Sequence, residues 1–296
     1  MLEKLTTESR NPKTMNLDEM CIMDILRTMN EEDESVLLAI KNQLPNIEKA
    51  VHFAIESFNQ GGRLLYIGAG TSGRLGVLDA VECVPTFGTE PDMVQGIIAG
   101  GTKALYEAAE GVEDDVASGE QDLKKIGLTK NDTVVGLAAS GRTPYVIGAL
   151  QYANSIGAKT VSISCNKDAE MSKHSSVAIE LETGPEVLTG STRLKAGTSQ
   201  KMVLNMISTA SMVGIGKVYQ NFMVDLKPTN IKLEERSKRS IMEITGVSYE
   251  KASSYFEKSK RQVKVAIVMI LLQCSYDEAI SKLEQANGFV RRALTE

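Results

Sequence analysis

The 296-residue chain has no tryptophan, two histidines, four cysteines and no long apolar run. Most of these shortages close off a class of function. Cys21, Cys83, Cys165 and Cys274 stand far apart with no C-x-x-C pair. With only His52 and His174 beside them, local spacing spells no zinc set. Scattered thiols and the lack of a signal peptide make the cytoplasm the expected location. The longest apolar run, Val265 to Leu272, is far too short to cross a bilayer, so no membrane role is expected. A formal net charge of −5 argues against bulk binding to nucleic acid. There is no short internal repeat and no low-complexity tract. What remains is an ordinary globular composition, long enough for one principal domain and a smaller one.

Hydrophobic periodicity divides the chain into three parts. Residues 1–60 read as a helical segment after a polar start, with a turn at Asn11-Pro12. Ile40 and Leu44, then Ile47, Val51 and Ile55 beyond Pro45, supply its apolar face. Residues 61–230 alternate strand and helix. The predicted strands are Leu64–Ile67, Val94–Ile98, Thr133–Ala138, Thr160–Ser164 and Val177–Leu181. The predicted helices lie at 72–83, 102–110, 113–125, 143–156 and about 168–174, followed by a long one from Lys195 to Tyr219. Such alternation gives an α/β fold, a doubly wound parallel sheet with ligands outside the carboxyl ends of its strands. After Pro228 the composition shifts, and residues 231–296 read as a small helical bundle. Gly246-Val-Ser248 and Ser275-Tyr-Asp-Glu278 provide caps or breaks.

Three strand–helix junctions share one chemistry. Gly68-Ala-Gly-Thr-Ser-Gly73 follows the first strand, Ala139-Ser-Gly-Arg-Thr-Pro144 the third, and Thr189-Gly-Ser-Thr-Arg-Leu-Lys195 enters the long helix. Backbone N–H groups at a helix N-terminus, reinforced by hydroxyls, suit a phosphate, and Arg74 adds a cation nearby. The first loop also satisfies the dinucleotide pattern G-x-G-x-x-G. That pattern wants an acid about 20 residues on, at the end of the second strand. Asp92 stands before that strand, not after it. Three such loops together point to one compact phosphorylated ligand held by Thr71, Ser72, Ser140, Gly141, Arg142 and Thr143, with Arg193 and Lys195 as further candidates. Any one of these hydroxyls also reads as a helix cap. Of the carboxylates, Glu82 reads by itself as a solvated group at the end of the first loop's helix. Glu110 and Glu113 flank Gly111 in an acidic turn.

Longer stretches are similar to a known family. Gly68 to Asp79, Leu137 to Tyr145, Leu188 to Lys195, Gln200 to Ser208 and Gly216 to Asn221 resemble the N-acetylmuramic acid 6-phosphate etherases. The likeness runs from Leu5-Thr-Thr-Glu-Ser-Arg10 to Gly288-Phe-Val-Arg291. The resemblance implies the sugar isomerase (SIS) fold, shared with the glucokinase regulatory protein. It also implies cleavage of the D-lactyl ether of N-acetylmuramic acid 6-phosphate to N-acetylglucosamine 6-phosphate and D-lactate. Matched motif by motif, it makes Glu82 the catalytic acid and Glu113 the base, with no metal and no cofactor. The family often has Ser or Pro where this chain has Val81 and Val84, a departure that leaves the carboxylate in place. A homodimer is expected from the apolar faces of the helical ends and from the resemblance. Two rivals use the same fold: an aldose–ketose phosphosugar isomerase, and a phosphosugar-sensing regulator that binds a partner protein.

Overall fold

The computed structural model describes residues 5–226 and 230–295, so the composition break at Pro228 lies outside the described residues. Contacts divide the chain into two compact units: residues 1–81 with 92–208, and residues 82–91 with 209–296.

The first unit is built on five parallel strands: β1 (Leu64–Gly68), β2 (Val94–Ile98), β3 (Thr133–Leu137), β4 (Lys159–Ser164) and β5 (Val177–Glu180). Their spatial order is β2-β1-β3-β4-β5. Leu64 pairs with Val94 on one side and Thr133 on the other, so β1 lies between β2 and β3. Every residue of β1 and β3 is buried. That accounts for their continuous apolar runs, because a parallel strand is covered on both faces. On one face Leu65, Ile67 and Val134 pack with Leu123, Tyr145, Val146 and Leu150, which belong to α3 (Val116–Lys125) and α4 (Pro144–Ser155). On the other, Thr133 bonds Ser57 of α1 (Ile22–Asn59) across 2.7 Å. The first and third strands are thus neighbours, and the order reverses between them. In open α/β sheets that switch point is where ligands bind.

All five strands fall where periodicity places them, while some helices differ. The expected helix over 102–110 is a 3₁₀ turn at Thr102–Leu105. A second 3₁₀ turn, Val112–Asp114, precedes α3, and Asp115 caps α3 by accepting from the Ala117 amide. The stretch expected at 168–174 is also 3₁₀, over Glu170–His174. Pro45 sits inside α1 without ending it. The first-loop helix, α2, runs Gly70–Phe87. The long helix, α5 (Lys195–Gly214), stops short of Tyr219. The Lys217 and Gly216 amides turn back to the Met212 and Val213 carbonyls, and an antiparallel hairpin follows, β6 (Val218–Tyr219) with β7 (Phe222–Met223). Such backward bonds satisfy the last carbonyls of a helix.

The second unit adds α6 (Ile231–Thr245), α7 (Tyr249–Lys258), α8 (Val263–Leu272), α9 (Tyr276–Gln285) and α10 (Val290–Ala293). α8 holds the whole of the longest apolar run and is buried on nearly all sides. Ile241, Phe256, Ala279 and Leu283 pack in the same cluster. Ser275 and Glu278 form a capping box on α9, and Ser248 caps α7. No helix among the described residues is long and apolar enough to cross a membrane.

Candidate functional site

The site begins with two loops that leave neighbouring strands. After β1 the chain turns through Ala69 and Gly70 into α2. A Cβ on Gly73 would lie 2.6 Å from the Gly68 carbonyl oxygen and 2.7 Å from Ile98 Cγ1. No larger residue fits there, so the first turn of α2 is drawn tight against β1 and its free N–H groups point beyond the strand ends. After β3, Gly141 takes φ +70°, and its missing Cβ would meet Ala169 Cβ at 2.5 Å. Ser140 Oγ accepts from the Arg142 amide at 3.3 Å. Thr143 is the N-cap residue of α4 but makes no side-chain capping bond.

These loops open on a cavity of about 250 Å³. Gly70, Thr71, Ser72, Ser140 and Thr143 line it, with Thr192 from the third loop and two carboxylates, Glu113 and Glu8. An adjoining lobe of about 330 Å³ shares Glu8, Glu113, Ser140 and Thr143 and adds Leu5, Asp114, Arg142 and Pro144. Glu113 is half-buried on the 3₁₀ turn between Gly111 and the capping Asp115.

Several expected ligands are committed elsewhere. Ser72 donates its hydroxyl proton to Gln200 Oε1 at 2.8 Å, so that oxygen can serve only as an acceptor and its amide is the group left for an anion. Arg74 donates to the carbonyls of Leu105 (3.2 Å) and Glu107 (3.0 Å). It therefore steadies the segment leading to Glu113. Arg193 is exposed and lines neither lobe. Lys195 is buried, with its ammonium 2.7 Å from Glu32 Oε2. Glu82 lies on α2, exposed, in the second unit, and is not a lining residue of either lobe. Among the described residues no group of three His, Cys, Asp or Glu side chains is placed to hold a metal ion.

Three carboxylates escaped the reading of the sequence. Glu186, fully buried, accepts from the Lys195 and Ala196 amides at 3.0 Å each and so caps α5. Burial pushes its carboxyl above the ordinary range, against those two amides. Glu32 accepts from Lys195, from Lys13 at 2.9 Å and from Asn11 at 2.8 Å. Burial opposes its ionisation, but the bonds from Lys195, Lys13 and Asn11 outweigh burial and hold it at about 2. Glu8 is brought to the cavity by the N-terminal segment. Thr6 Oγ1 donates to Asn166 Oδ1 at 3.0 Å, and Asn166 Nδ2 donates to Thr7 Oγ1 at 3.0 Å and to the Ala139 carbonyl at 3.1 Å. The only local signal for these contacts was the Leu5–Arg10 stretch itself.

Residues 46–154 match the glucokinase regulatory protein N-terminal SIS domain and residues 115–210 the SIS domain. A phosphoheptose isomerase from Francisella tularensis superposes with a TM-score of 0.51 over 65% of this chain and 98% of its own. At 13% identity that likeness speaks to the fold alone. An N-acetylmuramic acid 6-phosphate etherase of Bacillus cereus (strain AH187) is 66% identical over 294 residues, which cover 99% of this chain and 100% of that protein. One from Bacillus anthracis matches to the same extent. With the SIS sheet, the hydroxyl-lined switch point and identity of this depth over its whole length, the chain belongs to the family of N-acetylmuramic acid 6-phosphate etherases.

Proposed function

We propose that this chain cleaves the D-lactyl ether of N-acetylmuramic acid 6-phosphate, a carbon–oxygen lyase reaction in the cytoplasm that yields N-acetylglucosamine 6-phosphate and D-lactate. The observation that carries the proposal is one cavity that holds phosphate-type donors together with the carboxylate assigned to C2, while the acid, Glu82, lies outside its lining. Hydroxyls and helix N-terminal amides sit beside a half-buried carboxylate, at the carboxyl ends of β1 and β3.

An alkyl ether leaves poorly, so direct displacement at C3 is slow. In the open-chain sugar C1 is an aldehyde, which makes the C2 proton acidic and places the C3 oxygen β to the carbonyl. Glu113 takes the C2 proton. Glu82, assigned from the motif Asp79-Ala-Val-Glu82, gives a proton to the departing lactyl oxygen. Water then adds to the unsaturated aldehyde at C3, with Glu82 now accepting a proton and Glu113 returning one to C2. The phosphate contributes positioning, held by the α2 amides, Thr71, Ser140 and Thr143. Release of D-lactate from the phosphorylated sugar tests the proposal. A phosphosugar isomerase also places a carboxylate at C2, but it would release none.

Ser140→Ala and Thr143→Val are expected to raise KM for the phosphorylated substrate with little change in kcat. The unphosphorylated sugar, assayed in parallel, should be far less affected. Equal impairment of both sugars would remove the phosphate from this cavity.

The assembly is expected to be at least a homodimer. Ile22, Leu26, Leu37 and Leu44 leave an apolar stripe exposed on α1, and a second copy would cover it. Sedimentation at micromolar concentration should show the dimer, and a fully active monomer would contradict it.

A further inference from the structure

The chemistry at C2 requires an open-chain aldehyde, yet the substrate closes as a hemiacetal. Opening carries one proton from the anomeric hydroxyl O1 to the ring oxygen O5, and some group must move it. Glu113 is occupied with C2. Among the described residues, Glu8 is the other carboxylate lining both lobes of the cavity.

Glu8 is presented for contact with a ligand. Its side chain makes no hydrogen bond or ion pair with another described residue. A Cβ on Gly190 would lie 3.8 Å from Glu8 Oε2, so the carboxylate rests against the third loop. The turn that bears it is fixed, with Thr7 fully buried and Asn166 2% exposed. Asn166 bonds Thr6 and Thr7 on one side and the carbonyl before Ser140 on the other. The carboxylate is thereby held at a set offset from the loop assigned to the phosphate. Glu8 shares both lobes with Glu113, and C1 is the carbon next to C2, so a second carboxylate beside the one assigned to C2 faces the C1 end of the sugar.

We propose that Glu8 is the catalytic residue that opens the sugar ring. This rests on the assignment of the cavity to the phosphosugar and of Glu113 to C2. The Glu8 carboxylate takes the O1 proton, and the O1–H electrons form the C1=O1 bond. The C1–O5 bond breaks with its pair going to O5, and O5 receives the same proton from Glu8. The carboxylate ends as it began, and no other reactant is needed.

The test uses hydrogen exchange at C2 of the product in deuterated water, followed by proton NMR, with the full chain. Two compounds are compared: N-acetylglucosamine 6-phosphate, and its analogue lacking the 4- and 5-hydroxyls, which cannot close a ring. Glu8→Gln should slow exchange on the natural sugar about 10²-fold, within the range for general acid–base groups. It should leave the ratio to wild type unchanged on the open analogue. Loss of equal size on both compounds, or on neither, would overturn the proposal. Glu113→Gln serves as the contrast and should lose exchange on both. A wild-type chain that exchanges neither compound and releases no D-lactate would overturn the reading of the site itself.

Discussion

Glu113→Gln is expected to fold normally and to lose about 10²–10⁴-fold in turnover, the range typical of a general acid–base group. Glutamine keeps the shape of the side chain but cannot accept the C2 proton. Glu113 stands on a short turn just before Asp115, the N-cap of α3, and Arg74 steadies the segment leading to it through the carbonyls of Leu105 and Glu107. The substitution therefore disturbs no buried partner, and far-ultraviolet circular dichroism should be unchanged. Glu82→Gln should lose turnover to a similar degree for a different reason, since it removes the proton donor to the leaving oxygen. The pair is separable by experiment. Glu82→Gln should still exchange the C2 proton of the product with solvent, whereas Glu113→Gln should not. If either variant kept close to full activity with the phosphorylated substrate, its assignment would be wrong.

The largest expected effect on stability is at Glu32. Its carboxylate holds the buried Lys195 ammonium at 2.7 Å, with Lys13 and Asn11 on the same group. Glu32→Ala leaves the Lys195 side chain, 3% exposed, without the carboxylate that bonds it. Removing one partner of such a pair costs about 3–5 kcal/mol, because the remaining charge is left uncompensated out of water. Urea denaturation monitored at the first unit measures it. The same change releases Asn11 and Lys13, which tie down the segment bearing Glu8, so proteolysis within the first 20 residues should accelerate. The pH dependence has a definite sign. Glu32 titrates at about 2 in the folded chain, below the ordinary 4.5. Its contribution is therefore fully present above about pH 4.5 and lost as pH falls through about 2. In Glu32→Ala that part of the acid destabilisation should disappear. A variant as stable as wild type at neutral pH would mean that Lys195 finds another partner.

The sheet was legible because each strand is a short apolar run bounded by turn residues. The helical character of the second unit and the break at Ser275–Glu278 were legible for the same local reason. The phosphate-type loops were legible in composition, and their convergence follows from β1 and β3 being neighbours, which no local pattern states. What escaped is non-local. Arg74 and Lys195 look like cations for an anion, but their partners lie 31 and 163 residues away. Glu8 has no neighbour in sequence to mark it, and it reaches the cavity through Asn166, some 160 residues on. The 3₁₀ turns at 102–105 and 112–114 read as helix because residue type records apolar spacing, while the left-handed glycines at 100, 101 and 111 break the ladder.

The most direct test of elimination followed by hydration is to run the reaction in water labelled with both ¹⁸O and deuterium. If the C3–O bond breaks after loss of the C2 proton, the lactate keeps the ether oxygen. The ¹⁸O then appears on the C3 hydroxyl of N-acetylglucosamine 6-phosphate, and deuterium appears at its C2. Label in the D-lactate hydroxyl would mean cleavage at the lactyl carbon. Unlabelled C2 with ¹⁸O at C3 would mean direct displacement, and either result would contradict the mechanism assigned to this cavity.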